Sequence, residues 1–334
     1  MTFESIKPLL DSAFASRHPT ADPGHQTAFR LFNGFHEGCP SLVLDVYART
    51  LVIHDYGGQP DPALIKQVAE YARASFGWLN TGIVKTRNGK TQEEKRGQLL
   101  FGETPDKKIV EHDIWYALDL TMNRDASFYL DTRHLRKWLM ETMRGKTVLN
   151  AFAYAGSLGV AAVAGGAERV VQTDLNRRFL DLAKESYTLN GFPIHKRDFI
   201  AGDFFPVVAR FKSANQTFDC VVIDPPFFSV TPHGKVDLVN ESRRIINKIR
   251  PLINDGGTLV AINNAVFLSG GDYMRTLEDL CKDGYLGIRE LIPVPDDFIG
   301  INRVGSPPAD PAPFNHSTKI AILDVKRKKV TSEA

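Results

Sequence analysis

The stretch KTVLNAFAYAGSLGVAAVAGGAERVVQTDLN, Lys146 to Asn176, decides the fold. Its first apolar run, TVLNAF, is short and rich in branched residues, as a buried strand requires. A turn of small residues, AYAGS, leads into the helical segment GSLGVAAVAGGA, which closes on paired glycines. A second short run, RVVQTDL, completes a strand–helix–strand unit. Such a unit joins parallel strands by a crossover. Downstream the pattern repeats. KRDFIAGDFF, FDCVVIDPP and GGTLVAINN read as further strands, with NRRFLDLAKESYTLNG, DFFPVVARFKS and KVDLVNESRRIINKIRPLINDG as helical segments. The expected fold is α/β, a doubly wound, mostly parallel sheet whose ligand lies beyond the carboxyl ends of the strands.

Upstream of Lys146 the rhythm differs. TAFRLFNG, SLVLDVYA and RTLVIHDYG read as consecutive antiparallel strands, and a helix is expected around Pro62 to Phe76. This predicts a small α+β domain over residues 1–115, the doubly wound domain over 116–325 and a basic tail over 326–334. The charged segment KTRNGKTQEEKRGQ, from Lys85, is expected as an exposed loop or hairpin. The Pro-rich stretch from Pro293 to Lys319 is expected as a long functional loop.

The chain has 334 residues, 43% of them hydrophobic, and a net charge of +2. That length allows two cores, and that charge restricts any nucleic-acid contact to local patches. Cys39, Cys220 and Cys281 form neither a zinc-ligand spacing nor a disulfide framework, which fits a reducing compartment. No apolar run reaches the roughly 18 residues of a membrane span, and the N-terminus lacks a signal-peptide pattern. A soluble, cytoplasmic protein is expected. No cluster of metal ligands stands out, and the oligomeric state is open, a homodimer included.

Three strand ends carry candidate ligand contacts. Gly156 opens a helix whose first N–H groups are free for a ligand, without the spacing of a dinucleotide or triphosphate loop. Asp174 ends the next strand, where an acid accepts hydrogen bonds from a ribose diol. Asp203 follows the third, placed to face an adenine amino group. Each acid is also an ordinary helix N-cap. The fourth strand ends in Asp224, Pro225, Pro226, Phe227 and Phe228. The two prolines lack N–H groups and stiffen the corner, leaving its carbonyls as fixed acceptors. An amine donating to those acceptors aims its lone pair outward, and Phe227 or Phe228 is placed to stack on a base.

In this order, VLNAFAYAGSLGVAAVAGGA, VVQTDLN, LNG and FDCVVIDPPFF resemble the class I S-adenosylmethionine-dependent methyltransferases. More narrowly, the chain resembles the bacterial family that methylates bases of 23S ribosomal RNA, over most of residues 25 to 292. The resemblance implies a Rossmann-like seven-stranded sheet behind a small N-terminal domain, S-adenosyl-L-methionine as cofactor and RNA as partner. It places FYLDTRHLRKWL, with Phe128, Tyr129, Asp131 and Arg133, over the methionine end of the cofactor. It also implies cofactor contacts from Asn150, Ala151, Phe152, Tyr154, Gly156, Asp174, Leu175, Asp203 and Phe204.

Methylation of cytosine carbon needs a cysteine thiolate, expected after the fifth strand. There this chain carries Asn263 and Asn264, both candidate substrate contacts, and no cysteine. A carbon target is thus disfavoured, and INN after GGTLV resembles the guanine-modifying branch of that family, which implies a base nitrogen, guanine favoured, as the target. Lys85 and Arg87 are the candidate phosphate contacts among several basic clusters. Competing readings are a protein or small-molecule N-methyltransferase and a non-catalytic, cofactor-binding assembly factor.

Overall fold

The computed structural model describes residues 1–17, 22–59, 61–300 and 307–327. The chain divides into two units: Met1–Arg133 with Pro295–Pro307, and His134–Val294 with Pro308–Ala334. The domain boundary expected near residue 115 thus falls later, after Arg133. Part of the Pro-rich stretch, 301–306, and the tail from residue 328 lie outside the described residues.

The first unit holds a five-stranded sheet of β1 (Ala28–Asn33), β2 (Leu42–Tyr47), β3 (Thr50–Asp55), β4 (Thr81–Thr86) and β5 (Gln98–Phe101), in that order. All neighbours are antiparallel except β3 and β4, which the helix Pro62–Ser75 connects. That helix and Phe3–Ser16 bury one stripe each in a core with Leu31, Leu44 and Ile53. A fully buried Leu or Ile contributes about 1.5–3 kcal/mol. A separate hairpin, β6 (Lys108–Glu111) and β7 (Ile114–Ala117), follows.

The segment from Lys85, expected as an exposed loop or hairpin, joins β4 and β5 as an antiparallel pair, but its first residue is not exposed. Lys85 is the fifth residue of β4 and fully buried; its Nζ donates to the carbonyls of Arg96 and Asn123. Burial lowers its pKa to about 8. Arg87 ion-pairs with Asp125 at 2.7 Å and lies over the Tyr56 ring. Exposure resumes at Asn88 and Lys90 and along the short helix Gln92–Arg96, which carries a Thr91/Glu94 capping box.

The second unit is a seven-stranded sheet. Its strands are β8 (Thr147–Ala151), β9 (Arg169–Asp174), β10 (Phe199–Ala201), β11 (Phe218–Ile223), β14 (Ile253–Asn263), β15 (Leu286–Leu291) and β16 (Lys319–Val325). They lie in the order β10-β9-β8-β11-β14-β16-β15, and β16 alone runs antiparallel to its neighbours. Alternate residues enter opposite cores. Leu149, Val221 and Leu259 face the helices Phe204–Ser213, Ser242–Ile249 and Gly270–Cys281. Val148, Val222 and Val260 face the helices Arg133–Thr142 and Ser157–Ala164. Helices on both faces explain why these strands read as unbroken apolar runs. The strand order reverses between β8 and β11, which makes their carboxyl ends the switch point.

One sequence expectation fails here. The segment from Lys235 does not begin a helix. β12 (Phe228–Thr231) and β13 (Gly234–Asp237) form an antiparallel hairpin, and the helix starts only at Ser242. The alternation in FSVT and the Gly-containing turn TPHG favour strands, and Val236 anchors the hairpin by its buried side.

Candidate active site

The carboxyl ends of β8, β9 and β10 form one half of the site. After β8 the backbone turns sharply: Phe152 and Tyr154 both have positive φ, 59° and 51°. Non-glycine residues in this region store strain, which concentrates at functional loops. The Tyr154 N–H donates to Asp174 Oδ2 at 2.9 Å, and the Asn176 N–H donates to Oδ1 at 2.8 Å. Burial raises the pKa of Asp174, and the N–H groups of Asn176, Tyr154 and Leu175 oppose that shift. Of its roughly four acceptor positions these three N–H groups leave one for a further donor. The Gly202 N–H donates to the Asp174 carbonyl at 2.9 Å, so the ends of β9 and β10 are tied together. Asp203 caps the helix Phe204–Ser213 by accepting from the Phe205 N–H at 2.9 Å. Phe204 stacks on Phe152, centroids 4.6 Å apart. Leu175 stands 66% exposed beside Asp174.

Gly156 begins the helix Ser157–Ala164 at φ 76°. A Cβ there would meet Ala183 Cβ at 2.5 Å and Gln172 Oε1 at 2.6 Å, so the glycine serves packing between helix and sheet as well as the left-handed turn. Asn150, expected as a direct ligand contact, has a buried Oδ1 without a hydrogen-bond partner among the described residues. It is buried within the sheet, and its Nδ2 donates to Gln172 Oε1 at 3.2 Å, while Gln172 Nε2 donates to the Tyr187 hydroxyl. Ala151 is likewise buried and contributes backbone alone.

The other half of the site is the corner after β11. Asp224 is partly buried, Pro225 is buried, and Phe227 and Phe228 are 61% and 51% exposed. The corner is therefore not a core plug. Asn264 Nδ2 donates to the Pro225 carbonyl at 3.2 Å, so the loop after β14 braces the corner. Asn263 does not contact a substrate: it is fully buried, donates to the Leu238 carbonyl and Ser242 Oγ at 3.0 Å each, and accepts from the Ala265 N–H. Lys319, also buried, donates to the carbonyls of Ala265 and Ser317, and burial lowers its pKa to about 8. Phe267, 82% exposed, extends the apolar rim. Sequence reasoning missed the brace, the hairpin and Phe267; the alternation after Pro226 was the one available signal.

The cysteines are placed away from this corner or are inert. Cys220 is buried in β11, where burial pushes its thiol up to about 12. Cys281 ends the helix Gly270–Cys281 and burial raises it too. Cys39 belongs to the first unit. A thiolate nucleophile is absent from the described corner.

Phe128, Tyr129, Asp131 and Arg133 belong to the first unit. Phe128 is buried and its carbonyl accepts from the Tyr47 hydroxyl at 3.0 Å. Tyr129 is 40% exposed, with its hydroxyl 3.4 Å from Asp125. Arg133, expected to face the cofactor, is held by neighbouring carboxylates. It pairs with Asp297 at 2.7 Å and Glu111 at 3.4 Å and donates to the Ala28 carbonyl, and those carboxylates raise its pKa.

A sheet of this strand order, with acids closing its second and third strands and an acid–diproline corner closing the fourth, defines a class I methyltransferase. Residues 85–302 match the S-adenosylmethionine-dependent methyltransferase family, and the chain belongs to that family. "Ribosomal RNA large subunit methyltransferase I" of Aeromonas salmonicida (strain A449) is 30% identical over 281 residues, 82% of this chain and 70% of that protein. The protein of that name from Vibrio cholerae serotype O1 (strain ATCC 39315 / El Tor Inaba N16961) is 28% identical over 281 residues, again 82% and 70%. Among solved structures, SMU.776 complexed with SAH superposes with a TM-score of 0.83 at 21% identity, covering 97% of this chain and 82% of that one. The chain is an enzyme whose cofactor is S-adenosylmethionine.

The residues present suit that cofactor. Asp174 offers an unfilled acceptor position to a hydroxyl, Leu175 an exposed apolar surface to a planar ring, and the left-handed turn at Gly156 close backbone approach. Among the described residues no helix is long and apolar enough to cross a membrane.

Proposed function

We propose that this enzyme methylates a base nitrogen of large-subunit ribosomal RNA, guanine being the favoured base. The observation that carries the reading is the corner after β11: a braced Pro225 carbonyl beside Asp224, with two exposed phenylalanines and no thiolate. The relatives named for ribosomal RNA supply the substrate class.

The cofactor supplies an electrophilic methyl group. The chain's own residues hold the nucleophile. Phe227 or Phe228 stacks on a base taken out of its helix, worth about 1–3 kcal/mol per base. Asp224 and the Pro225 carbonyl accept hydrogen bonds from the N–H groups of that base and leave the nitrogen lone pair free. Guanine presents such donors at its ring and exocyclic nitrogens. Alignment of nucleophile and methyl carbon then contributes most of the rate gain. Asp174, Leu175, Asp203 and the Phe152–Phe204 pair hold the nucleoside of the cofactor on the other side of the switch point.

Transfer of labelled methyl from S-adenosylmethionine into an unmodified large-subunit ribosomal RNA transcript tests this. Label should enter RNA and be released by ribonuclease. Label confined to protein or small molecules would refute the reading.

A further inference from the structure

The outer face of the β12–β13 hairpin has no structural reason to be apolar. With a period of two, Phe228 and Val230 point away from the buried Val236, and Val230 is 67% exposed. Lys235 lies opposite Val230 in the register and over the Phe228 ring at 5.7 Å, and is itself neutralised by Asp237 at 3.0 Å and Glu241 at 3.7 Å. An exposed apolar pair with a cation above it on a two-stranded ribbon is the kind of surface that marks a partner.

Next to the hairpin lies a group of cations. Its turn packs on Phe205, since a Cβ on Gly234 would come within 2.4 Å of that ring. Arg244 and Lys248 reach over the same ring, at 5.8 and 5.9 Å. Lys212 follows Phe205 by two helical turns and so shares its side of the helix Phe204–Ser213. Arg244 is neutralised by Glu241 at 2.6 Å. Among the described residues, neither Lys212 nor Lys248 forms an ion pair with a carboxylate. Burial and the charge of Lys248 both lower the pKa of Lys212, as expected for two amines sharing a neighbourhood without an anion. Apolar surface that stacks bases, flanked by unneutralised amines that hold phosphates, is the chemistry of single-stranded RNA recognition.

We propose that the outer face of the β12–β13 hairpin, together with Lys212 and Lys248, is an RNA-docking surface that grips the strand flanking the target base. The inference rests on RNA being the substrate. It places the grip on the second unit, where the sequence pointed to Lys85 and Arg87 in the first, both of which are engaged internally.

The test compares wild type, Lys212→Ala/Lys248→Ala and Val230→Ala on an unmodified large-subunit ribosomal RNA transcript across a salt series. S-adenosylhomocysteine affinity and thermal melting serve as controls for folding. The double variant should bind RNA about tenfold more weakly and lose about 1.4 from the slope of log affinity against log salt, roughly 0.7 for each single-strand phosphate contact. Val230→Ala should weaken binding without changing the slope. S-adenosylhomocysteine binding should not change. If wild type neither binds nor methylates the transcript, the RNA reading fails and this inference with it. If wild type does both and the double variant keeps affinity and slope, the docking surface alone is overturned. It is overturned equally if Val230→Ala leaves RNA affinity intact and converts a dimer into a monomer, because the face then covers a second copy of the chain.

Discussion

The strand ends of β8, β9 and β10 and those of β11 and β14 carry two halves of one site, yet they are built by different means. In the first half the two acids are fixed by backbone N–H groups, Asp203 by one two residues on and Asp174 by Asn176 and, 20 positions back, Tyr154. In the second half the corner at Pro225 is braced by Asn264, and the loop carrying Asn264 is held from behind by Lys319. Backbone N–H groups thus set the half proposed to hold the cofactor. The half proposed to accept a base is braced by side chains far apart in sequence and leaves its aromatic rings in solvent.

Substitutions should separate the halves, and the largest effect is expected at Asp224. Asp224→Ala removes an acceptor from the nucleophile and should lower kcat by about 10²–10³-fold, the scale of losing one preorganised hydrogen-bonding group. Calorimetry should find S-adenosylhomocysteine binding unchanged; a matching loss of cofactor affinity would erase the distinction between the halves. Gly156→Ala acts on the other half. Its Cβ must enter space held by Ala183 and Gln172 at a left-handed φ, so stability should fall on the order of 3 kcal/mol, read as a lower Tm.

Asn264→Ala is expected to cost less. Loss of the bond to the Pro225 carbonyl should reduce kcat about tenfold, the worth of one net hydrogen bond, with little change in Tm. A pH dependence sharpens the comparison further. The folded-state pKa of Lys319 is lowered from 10.5 to about 8, so between those values the unfolded chain binds the proton and the folded chain does not. Stability therefore rises with pH across that window. Lys319→Met should flatten the rise relative to wild type in denaturant titrations at pH 8 and pH 10; an unchanged slope would remove Lys319 as the group responsible.

This contrast also explains what was legible in the sequence. The strands at Val148, Val170 and Val221 are apolar on both faces because helices cover both, and such runs are visible without coordinates. Asp174 and Asp203 were legible because strand ends and helix caps are local signals. The brace between Asn264 and Pro225 was not, since it joins residues 39 positions apart. Lys85 was misread for a related reason. A lysine in a charged run looks solvated, yet the period of β4 turns it inward, where two carbonyls receive it. Asn263 reversed in the same way, from candidate contact to internal strut. The hairpin was hidden by the helical spacing of the residues that follow it.

The central claim is that the acid–diproline corner presents a base nitrogen to the methyl donor. Nucleoside mass spectrometry of ribosomal RNA methylated by the pure enzyme, with isotopically labelled S-adenosylmethionine, tests it most directly. The account predicts label on a methylguanosine whose methyl sits on nitrogen, accumulating about 10²–10³-fold more slowly in the Asp224→Ala reaction. Label in 5-methylcytidine, formed by a chain whose nearest cysteine is buried in β11, would contradict it.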